Sequence, residues 1–481
     1  MYHITVPGLA LLAGSMALTA SAASAKKEAN SEKRPNIIFL ITDQQSAHMM
    51  SCTGNEWLKT PAMDYIASNG VRFTRAYTTN PVSSPARVGF ITGRFPGSFT
   101  NNNGREARDN GSSMGIRNVT PEVLATTMPA WLKKAGYDLV YGGKTHLPGP
   151  FNPKNQGFHV ISTGIRTDLG KAVADYINGN KNNEKPYFIF VSLINPHDIC
   201  YMAIRDCWYA DPGRSKPNDA KEPIVYLDRA LKMPEGVGEE EFFARYCPPL
   251  PPNYEPQQGE PEAIQALLKK YPFRGEARRK YGDEDWRRHR WAYHRLTEVV
   301  DGEIQMILDA LRSSGTEENT VIIFSTDHGD MDASHRLEHK SLLWEESANV
   351  PFIISWKGHI KPGVNDTHLI SNGLDLLPTV CDYAGIKALS DPRGRSIRPL
   401  VEGKKAPWRT TLGVEAEVGR MVVSQDGCKY MRYDMAGFDE EQILDLKKDP
   451  WETRHFTDDP AYAKRLAALR KSYDEEWFPE K

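Results

Sequence analysis

Three long apolar runs constrain the fold of this 481-residue chain more than any other feature. Asn36–Ile41 leads to Asp43, a similar run at Thr320–Ser325 leads to Asp327, and Pro186–Leu193 is the third. Uninterrupted apolar runs of this kind are typical of central strands that are buried on both faces of a parallel sheet. We therefore predict that the three runs are central strands of one sheet.

Helical patterns lie between these runs and include Glu122–Ala135 and Trp291–Ser313. Strands that alternate with helices over such a length indicate an α/β fold with a mostly parallel sheet. Functional sites in such sheets form beyond the carboxyl ends of the strands. Because Asp43, His197 and Asp327 each follow a predicted strand, we expect them to converge.

Two later regions differ in pattern, so the length is consistent with more than one domain. From about residue 199 to 285, prolines and charges interrupt the pattern, which predicts an irregular insertion that is either a functional rim or a solvated loop. From about residue 387 to 481, strand-like pieces at Met421–Ser424 and Cys428–Tyr433 precede a helix near Ala461–Trp477. We predict a large α/β domain at residues 26–386 and a smaller C-terminal α+β subdomain at 387–481.

The N-terminus has the pattern of a secretory signal peptide. Val6–Ala20 is mostly apolar and small, and Ala23-Ser24-Ala25 is a small-x-small cleavage pattern before Lys26. We predict that residues 1–25 are removed and that the mature protein is periplasmic or secreted. No later segment approaches the roughly 20 apolar residues of a membrane span, so no span is predicted.

Charge and cysteine content exclude several classes of partner and site. Lys plus Arg number 60 against 62 Asp plus Glu, so no bulk charge indicates binding to nucleic acid or to an anionic membrane. The six cysteines form no CxxC pair, and a zinc site is therefore not expected. Export would permit disulfides, for which Cys200 with Cys207 or Cys247 are candidates.

One segment carries the strongest functional signal. Ser83-Ser84-Pro85-Ala86-Arg87, followed by Thr92-Gly93-Arg94, resembles the sulfatase signature, C/S-x-P-x-R with a T-G-R ending. In that family the first residue is oxidised to formylglycine (3-oxoalanine), whose hydrated aldehyde is the nucleophile. The resemblance therefore implies that Ser83 is converted to formylglycine. Its serine form implies a radical-SAM maturase as a transient partner.

The chemistry of sulfate esters explains these residue types. A sulfate ester is protected by its negative charge, so it needs a strong nucleophile and a site that neutralises charge. A geminal diol can attack sulfur with one hydroxyl, and its second hydroxyl can then lose a proton and expel sulfate. A plain serine would remain sulfated. Arg87, one helical turn after Ser83, can hydrogen-bond the diol or its activating carboxylate.

Two doublets, Asp43-Gln44 and Asp327-His328, resemble the metal ligands of sulfatases. Together with the modified Ser83 they form the predicted ligand set. Oxygen-rich ligands favour a hard cation, Ca²⁺ or Mg²⁺, and the resemblance favours Ca²⁺. The cation would lower the pKa of the diol and hold a sulfate oxygen. A common form in the family is Asp-Asp with Asp-Asn, from which Gln44 and His328 depart.

Basic residues in three further segments resemble sulfate-binding and proton-transfer groups of the same family. Lys144 is predicted to bind sulfate, and His146, in the same G-K-x-H segment, is predicted to accept the diol proton. His197 follows Asn-Pro and would lie near the leaving-group oxygen, while Lys340 occupies the position of a second sulfate lysine. A poor alkyl leaving group needs a general acid. We predict that His197 has this role, alone or with Lys340.

The substrate class also follows from the resemblance. The Asp-Gln and Asp-His combination resembles bacterial glycosaminoglycan 2-O-sulfatases, and Asp-His recurs in iduronate-2-sulfatases. Both act at uronic acids, usually at the non-reducing end, which implies a terminal, unsaturated uronate from heparin or heparan sulfate or from chondroitin or dermatan sulfate. The uronate carboxylate would need a cation of its own. Arg105 and Arg108 are candidates, unless they are surface charges of a loop.

The resemblance extends from about Pro35 to the C-terminus and implies an alkaline-phosphatase-like large domain whose sheet is flanked by helices. Within the family, a 6-O-sulfatase acting on N-acetylhexosamine is the alternative. A phosphoester or phosphonate hydrolase on the same scaffold is another, although the further His and Asp ligands of a two-zinc phosphatase are not found in the sequence. A third alternative is a non-catalytic protein that binds sulfated glycans and retains serine at position 83.

Overall fold

The computed structural model of the protein describes residues 1–3, 34–164, 166–389 and 391–479. The predicted signal peptide lies, apart from its first three residues, outside the described residues. Within these ranges, no helix combines the length and the apolar character needed to cross a bilayer.

Fourteen strands occur in the described part of the chain. In chain order they are β1 (Asn36–Asp43), β2 (Gly70–Phe73), β3 (Ala76–Tyr77), β4 (Asp138–Gly143), β5 (His159–Ser162), β6 (Tyr187–Pro196), β7 (Thr320–Thr326), β8 (Phe352–Ser355), β9 (Val364–Asp366), β10 (Ile370–Ser371), β11 (Thr411–Glu415), β12 (Gly419–Ser424), β13 (Cys428–Tyr433) and β14 (Glu440–Asp445). Eight of them form one sheet in the order β5-β4-β6-β1-β7-β8-β2-β9. Only β8 runs antiparallel to its neighbours in that sheet.

The three predicted central strands lie side by side in this sheet. β1 pairs in parallel with β6 on one edge and with β7 on the other, and every residue of the three strands is buried. The register places Thr42 opposite Thr326 and Asp43 opposite Pro196. The carboxyl ends of the three strands therefore meet at one edge, as predicted.

Sixteen α-helices occur in the same described ranges. They are α1 (Pro61–Ser68), α2 (Ser83–Thr92), α3 (Asn110–Met114), α4 (Pro121–Ala125), α5 (Met128–Lys134), α6 (Leu169–Gly179), α7 (Cys200–Asp206), α8 (Glu222–Leu231), α9 (Glu239–Glu241), α10 (Glu262–Lys270), α11 (Pro272–Lys280), α12 (Asp283–Ser314), α13 (Glu345–Ala348), α14 (Leu376–Tyr383), α15 (Arg398–Val401) and α16 (Ala463–Trp477).

Helices cover both faces of the sheet because successive residues of a strand point to opposite faces. Phe39 belongs to a buried cluster that includes residues of α2, α5 and α14. Its neighbours Ile38 and Leu40 belong to a second cluster, which includes residues of α1, α6 and α12. The predicted α/β class with a mostly parallel sheet flanked by helices is thus confirmed.

Two helix predictions differ in their bounds from the structure. The predicted helix Glu122–Ala135 consists of α4 and α5, because Pro129 in the first turn of α5 cannot continue the preceding helix. The long helix α12 begins eight residues before Trp291. Asp283, together with the two acidic residues after it, stabilises that earlier start through the helix dipole.

The region at about residues 199–285, where an irregular insertion is expected, contains five helices, α7 to α11, separated by irregular segments. Pro223 and Pro272 lie in the first turns of α8 and α11. Proline is well accommodated there because the first amide groups of a helix have no intrahelical partner. These two prolines therefore begin helices, whereas Pro248, Pro249, Pro251 and Pro252 lie in an irregular segment between helices.

The C-terminal part is an antiparallel sheet, β11-β12-β13-β14, with α16 on one face, in agreement with the predicted α+β subdomain. The other face packs against the large domain, in a cluster that joins Met421 and Met431 to Trp344. The buried Lys429 ammonium lies 2.6 Å from Glu452 and 3.0 Å from Glu345. All six cysteines lie in the described ranges and are unpaired.

Candidate active site

The ends of β1 and β7 bring the two predicted metal-ligand doublets together. Asp43 is the last residue of β1, and Gln44 follows with a positive φ of 70°, which turns the chain away from the strand. Asp327 and His328 directly follow β7. The backbone N–H of Gln44 donates a hydrogen bond of 3.1 Å to Asp327 Oδ1, so the two doublets are in direct contact.

Asp43, Asp327 and His328 each offer one ligand atom, and these atoms lie within 4.8 Å of one another. The Nδ1 atom of His328 lies 2.9 Å from the carbonyl oxygen of Gly329, which can only accept, so the lone pair is on Nε2. That Nε2 lies 3.5 Å from Asp327 Oδ1. Asp43 Oδ1 is buried and has no hydrogen-bond partner among the described residues. Buried oxygen and imidazole donors that face one another fit a divalent cation.

Ser83 opens helix α2 beside this cluster. Its hydroxyl lies 2.9 Å from His328 Nε2, and the residue is only 1% exposed. The start of α2 is held by Ser84, whose backbone N–H donates to Asn110 Oδ1 at 3.0 Å and whose hydroxyl donates to Ser113 at 2.8 Å. The predicted nucleophile therefore lies within reach of the predicted cation ligands.

Arg87, one turn further along α2, is fully buried and bridges the two carboxylates. Its Nη2 donates to Asp43 Oδ2 at 2.8 Å and its Nε donates to Asp327 Oδ2 at 3.0 Å. Its Nη1 donates to the Ser192 hydroxyl at 2.6 Å and to the Lys144 carbonyl at 3.2 Å. A planar guanidinium can make these contacts at once, which a single ammonium cannot. The sequence predicts that Arg87 hydrogen-bonds either the diol or its activating carboxylate, and in the structure it contacts the carboxylates.

Two lysines add positive charge to the cluster. Lys144 Nζ lies 2.5 Å from Asp43 Oδ2, and Lys340 Nζ lies 2.6 Å from Gln44 Oε1. Burial lowers the pKa of Lys144, and Asp43 opposes that shift. Both predicted sulfate lysines are thus brought to the cation ligands, where a sulfate group could accept charge-assisted hydrogen bonds from them.

The two carboxylates of the cluster titrate as a coupled pair. Burial opposes ionisation of Asp43, but the positive charges of Lys144 and Arg87 hold its pKa well below the usual range. Burial and the charge of Asp43 raise the pKa of Asp327 to about 6. A divalent cation between them would favour the ionised form of both.

His146 and His197 lie in the same electrostatic environment. Burial, and to a smaller extent the positive charge of Lys144, lowers the pKa of His146 to about 3. The same two causes hold the pKa of His197 well below its usual value. The Nδ1 atoms of both rings have no hydrogen-bond partner within the described ranges. Both imidazoles are therefore neutral at neutral pH, which suits His146 as a proton acceptor.

The segment that carries His197 is held by an ion pair that the sequence did not indicate. Asp198 is buried and accepts two hydrogen bonds of 2.7 Å from Arg166. Arg166 also pairs with Glu222, at the start of α8, at 2.9 Å. The insertion therefore helps to fix the loop after β6.

Arg105 and Arg108 are not brought into the cluster. They line a separate cleft of about 570 Å³, which Lys270 and Asp434 also line. Arg108 pairs with Asp434 at 2.9 Å and with Glu106 at 3.0 Å. The Arg105 side chain is 67% exposed and lies 3.5 Å from Asp109, the residue that caps the N-terminus of α3.

Three residues that contact Gln44 were not predicted from the sequence to belong to the site. Asp330 Oδ2 accepts from Gln44 Nε2 at 2.5 Å, and the Cys200 thiol lies 3.0 Å from Gln44 Oε1. The Tyr293 hydroxyl donates to the Gln44 carbonyl at 2.7 Å. Asp330 could have been found from its position two residues after His328. Tyr293 and Cys200 carry no such signal.

Comparison with known proteins agrees with this site. The family described as Sulfatase matches residues 35–386, and the one described as N-sulphoglucosamine sulphohydrolase, C-terminal, matches residues 333–476. Delta 4,5-hexuronate-2-O-sulfatase of Bacteroides thetaiotaomicron is 27% identical over 473 residues, which cover 93% of this chain and 89% of that protein. N-acetylglucosamine-6-O-sulfatase of the same species is 27% identical over 517 residues, which cover 95% and 88%.

The fold agrees with a solved 2-O glycosaminoglycan sulfatase. That structure is 25% identical, covers 92% of each chain and has a TM-score of 0.75. The predicted alkaline-phosphatase-like architecture is thereby confirmed. With a family match over most of its length and a Ser83 signature that lies against a cation-type cluster, the chain belongs to the sulfatase family.

Proposed function

We propose that this sulfatase removes the 2-O-sulfate of a terminal, unsaturated uronic acid from glycosaminoglycan oligosaccharides. The observation that carries the proposal is the contact between Ser83 and His328 inside the cluster formed by the two doublets. The two doublets, Asp43-Gln44 and Asp327-His328, resemble the metal ligands of 2-O-sulfatases. A hexuronate 2-O-sulfatase among the relatives supports the same substrate class.

Ser83 is proposed to act as formylglycine. In its hydrated form this group supplies one hydroxyl that attacks sulfur and a second whose deprotonation allows sulfate to leave. His328 Nε2 lies 2.9 Å from the Ser83 hydroxyl, so the side chain at position 83 is aimed at the cation ligands. We assign its conversion to a radical-SAM maturase. The conversion removes two hydrogens, so intact-protein mass spectrometry should show a loss of roughly 2 Da from the serine form.

We assign Ca²⁺ to the cluster rather than Mg²⁺. Asp43, Gln44, Asp327 and His328 would hold it together with residue 83. Ca²⁺ accepts a larger and less regular set of oxygen ligands than Mg²⁺, which suits the amide oxygen of Gln44 beside two carboxylates. The cation would supply positive charge at the sulfate oxygens and at the nucleophile.

Lys144 and Lys340 are proposed to bind the sulfate group. Each ammonium already contacts a predicted cation ligand, at 2.5 Å from Asp43 and at 2.6 Å from Gln44. Sulfate oxygens could accept additional hydrogen bonds from the remaining protons of each ammonium. Arg87 is engaged by carboxylates, Ser192 and a carbonyl, so we assign to it the placement of Asp43 and Asp327.

Proton transfer is proposed to involve two histidines. His197, charged once an anionic sulfate lies beside it, would give a proton to the glycan oxygen as the sulfur–oxygen bond to the glycan breaks. His146 is neutral and would take the proton of the second hydroxyl at residue 83 when sulfate leaves. Lys340 is the alternative donor to the glycan oxygen.

We place this activity in the periplasm or outside the cell. The support is the signal-peptide pattern of residues 1–25. An extracytoplasmic location would bring the enzyme to the products of glycosaminoglycan lyases. Mass spectrometry of the protein secreted by its host would show whether the chain begins at Lys26.

The deciding experiment compares sulfate release from three heparin disaccharides that are sulfated only at uronate O2, only at glucosamine O6 or only at nitrogen. Release from the 2-O isomer alone is expected, and Ser83→Ala, the matched control, is expected to bind this isomer without turnover. Release from the 6-O isomer alone would retain the sulfatase chemistry and replace the substrate. That second candidate has a specific basis, because the 6-O-sulfatase relative is as similar as the 2-O-sulfatase, at 27% identity.

A further inference from the structure

The side-chain amide of Gln44 is buried between groups of opposite character. Its Nε2 donates to Asp330 Oδ2 at 2.5 Å. Its Oε1 accepts from Lys340 Nζ at 2.6 Å and from the Cys200 thiol at 3.0 Å. The two ends of the amide therefore have different partners, and a rotation by half a turn would exchange them.

The chemistry of these partners determines which end is oxygen. A lysine ammonium carries only donors, so the end that faces Lys340 must be the amide oxygen. Asp330 also accepts from the backbone N–H groups of Asp332, at 2.7 Å, and of His339, at 3.1 Å. A carboxylate that is engaged by such donors is an acceptor, so the end that faces it must be the amide NH₂. The contacts at both ends of the amide therefore require the same orientation.

Asp330 and the backbone of Gln44 are themselves held in place. The backbone N–H of Asp330 donates to the Ser46 hydroxyl at 3.0 Å. The Gln44 carbonyl accepts from Tyr293, and its N–H donates to Asp327. The backbone leaves the rotation of the terminal amide undetermined, and Asp330 contacts its NH₂ end while Lys340 contacts its oxygen.

We propose that Asp330 is a positioning residue that holds the Gln44 amide with its oxygen toward the cation site. The inference rests on the proposed function, in which Gln44 is a ligand of Ca²⁺. Calcium binds carbonyl and carboxylate oxygens, whereas an amide NH₂ in the same place would present positive hydrogen atoms to the cation. Outer partners that orient a ligand typically contribute 10- to 100-fold to metal affinity.

The test measures Ca²⁺ affinity by isothermal titration calorimetry on the full chain after treatment with a chelator. Asp330→Asn retains the size of the side chain but offers an NH₂ group that no longer favours one orientation of Gln44. We expect the affinity of this variant to fall about 10- to 100-fold. Asp301→Asn is the matched control, because Asp301 is also buried and accepts the backbone N–H groups of Ala62 and Met63 at 3.1 and 2.9 Å, outside the cluster. Its affinity should not change.

A double-mutant cycle separates orientation from a merely structural effect. Gln44→Glu replaces the amide by a carboxylate, which has oxygen at both ends and no wrong orientation. In this background Asp330→Asn should reduce Ca²⁺ affinity by less than about threefold, since the group that it would misorient is absent. An equal loss in the parent protein and in the Gln44→Glu variant would overturn the proposal.

Two further variants, Asp327→Ala and Lys340→Met, distinguish a failure of the proposed cation site from a failure of the positioning role. If the parent protein binds no Ca²⁺, or if Asp327→Ala binds it as well as the parent does, the cation site of the proposed function is wrong. If the parent binds and Asp330→Asn binds equally well, only the positioning role is overturned. Should Asp330→Asn fail to fold, Lys340→Met gives the decision: retained affinity supports orientation by Asp330, whereas loss would assign the orientation to Lys340.

Discussion

At the scale of single residues, the site depends on how charge is distributed around two buried carboxylates. Arg87 contacts Asp43 and Asp327 with different nitrogens of one guanidinium, and Lys144 adds a second positive charge at Asp43. A buried charge that loses its partner is strongly destabilising, whereas a compensated one is not. The stability of the fold therefore depends on the partners of the two carboxylates that would hold the cation.

Replacement of Arg87 should reveal that dependence. Arg87→Met is expected to lower the free energy of unfolding by about 3–5 kcal/mol, because it leaves two carboxylates with less compensation. Urea unfolding without and with saturating Ca²⁺ checks this, and Ca²⁺ should restore part of the loss in the variant. Arg87→Lys retains the positive charge but not the planar guanidinium that contacts both carboxylates. Its free energy of unfolding should lie between those of the parent protein and Arg87→Met. Equal stability of all three proteins would contradict the account.

The arginines of the separate cleft give a prediction about substrate recognition. Arg105 has an exposed side chain and a single 3.5 Å contact, so it is free to bind a uronate carboxylate. Arg108 is held by two carboxylates. Arg105→Ala should raise KM for a 2-O-sulfated uronate disaccharide and leave hydrolysis of a small aryl sulfate unchanged, and Arg108→Ala should have the weaker effect. Equal losses on both substrates would argue against a carboxylate site in this cleft.

Much of the cluster could be predicted because its residues follow apolar strands or lie in a specific motif. Asp43 and Asp327 follow two similar runs, and Ser83 with Arg87 lies in a signature. Ser192 could not be found in this way, although it accepts from Arg87, because it lies inside an apolar run as an ordinary strand residue. Contacts made across the fold by residues of no special type leave no local pattern.

At the scale of elements, the periodicity predicted the strands better than the helix limits. The three central strands were found because uninterrupted apolar runs are typical of strands buried on both faces, and two of the four C-terminal strands, β12 and β13, were also found. The helices of the insertion were missed because their prolines were interpreted as interruptions. Whether a proline interrupts a helix or begins one depends on where the helix starts, which tertiary packing decides.

The packing of α12 against α6 predicts a dependence of stability on pH. Glu303 is 4% exposed, one of its oxygens accepts from the Gly170 N–H at 2.6 Å, and burial raises its pKa to about 7. Between about pH 4.5 and about pH 7 the folded state therefore binds more protons than the unfolded state. The stability that this protonated group contributes is fully present below about pH 4.5 and is lost as pH rises through about 7.

Glu303→Gln should remove this dependence, because the amide retains the hydrogen bond to Gly170 and does not ionise. The free energy of unfolding is expected to match that of the parent protein at pH 4 and to exceed it by about 3 kcal/mol at pH 8. Urea unfolding at both pH values is the measurement. Glu318→Gln, at an exposed position just after the same helix, is the control and should behave like the parent. A variant less stable than the parent at pH 8 would refute the assignment.

At the scale of the whole molecule, the C-terminal subdomain and the large domain share a buried interface. Trp344 packs in one cluster with residues of β11 to β14, and Lys429 of β13 is buried against Glu345 and Glu452. Arg75 of the large domain also donates to the Ser424 carbonyl at 2.7 Å. Ile397, Leu400 and Val401 still belong to a core cluster of the large sheet, and the C-terminal sheet begins with β11, so the packing is continuous across the predicted boundary at residue 387.

This interface predicts a single unfolding transition. Urea curves followed by tryptophan fluorescence and by far-ultraviolet circular dichroism should coincide, because neither part can expose the shared cluster alone. A chain that ends at residue 386 should be insoluble or unfolded for the same reason. Two separate transitions, or a soluble and folded shorter chain, would show that the parts are independent.

The burial of Ser83 has a consequence for the order of events in the life of the chain. In the folded protein this side chain is covered, and His328, which contacts it, lies 245 residues further along the chain. A maturase that oxidises Ser83 would have to reach it while the chain is still open, before β7 joins β1. Modification would then compete with folding in time, so a slower-folding variant should be converted more completely, and a fully folded serine form should resist conversion.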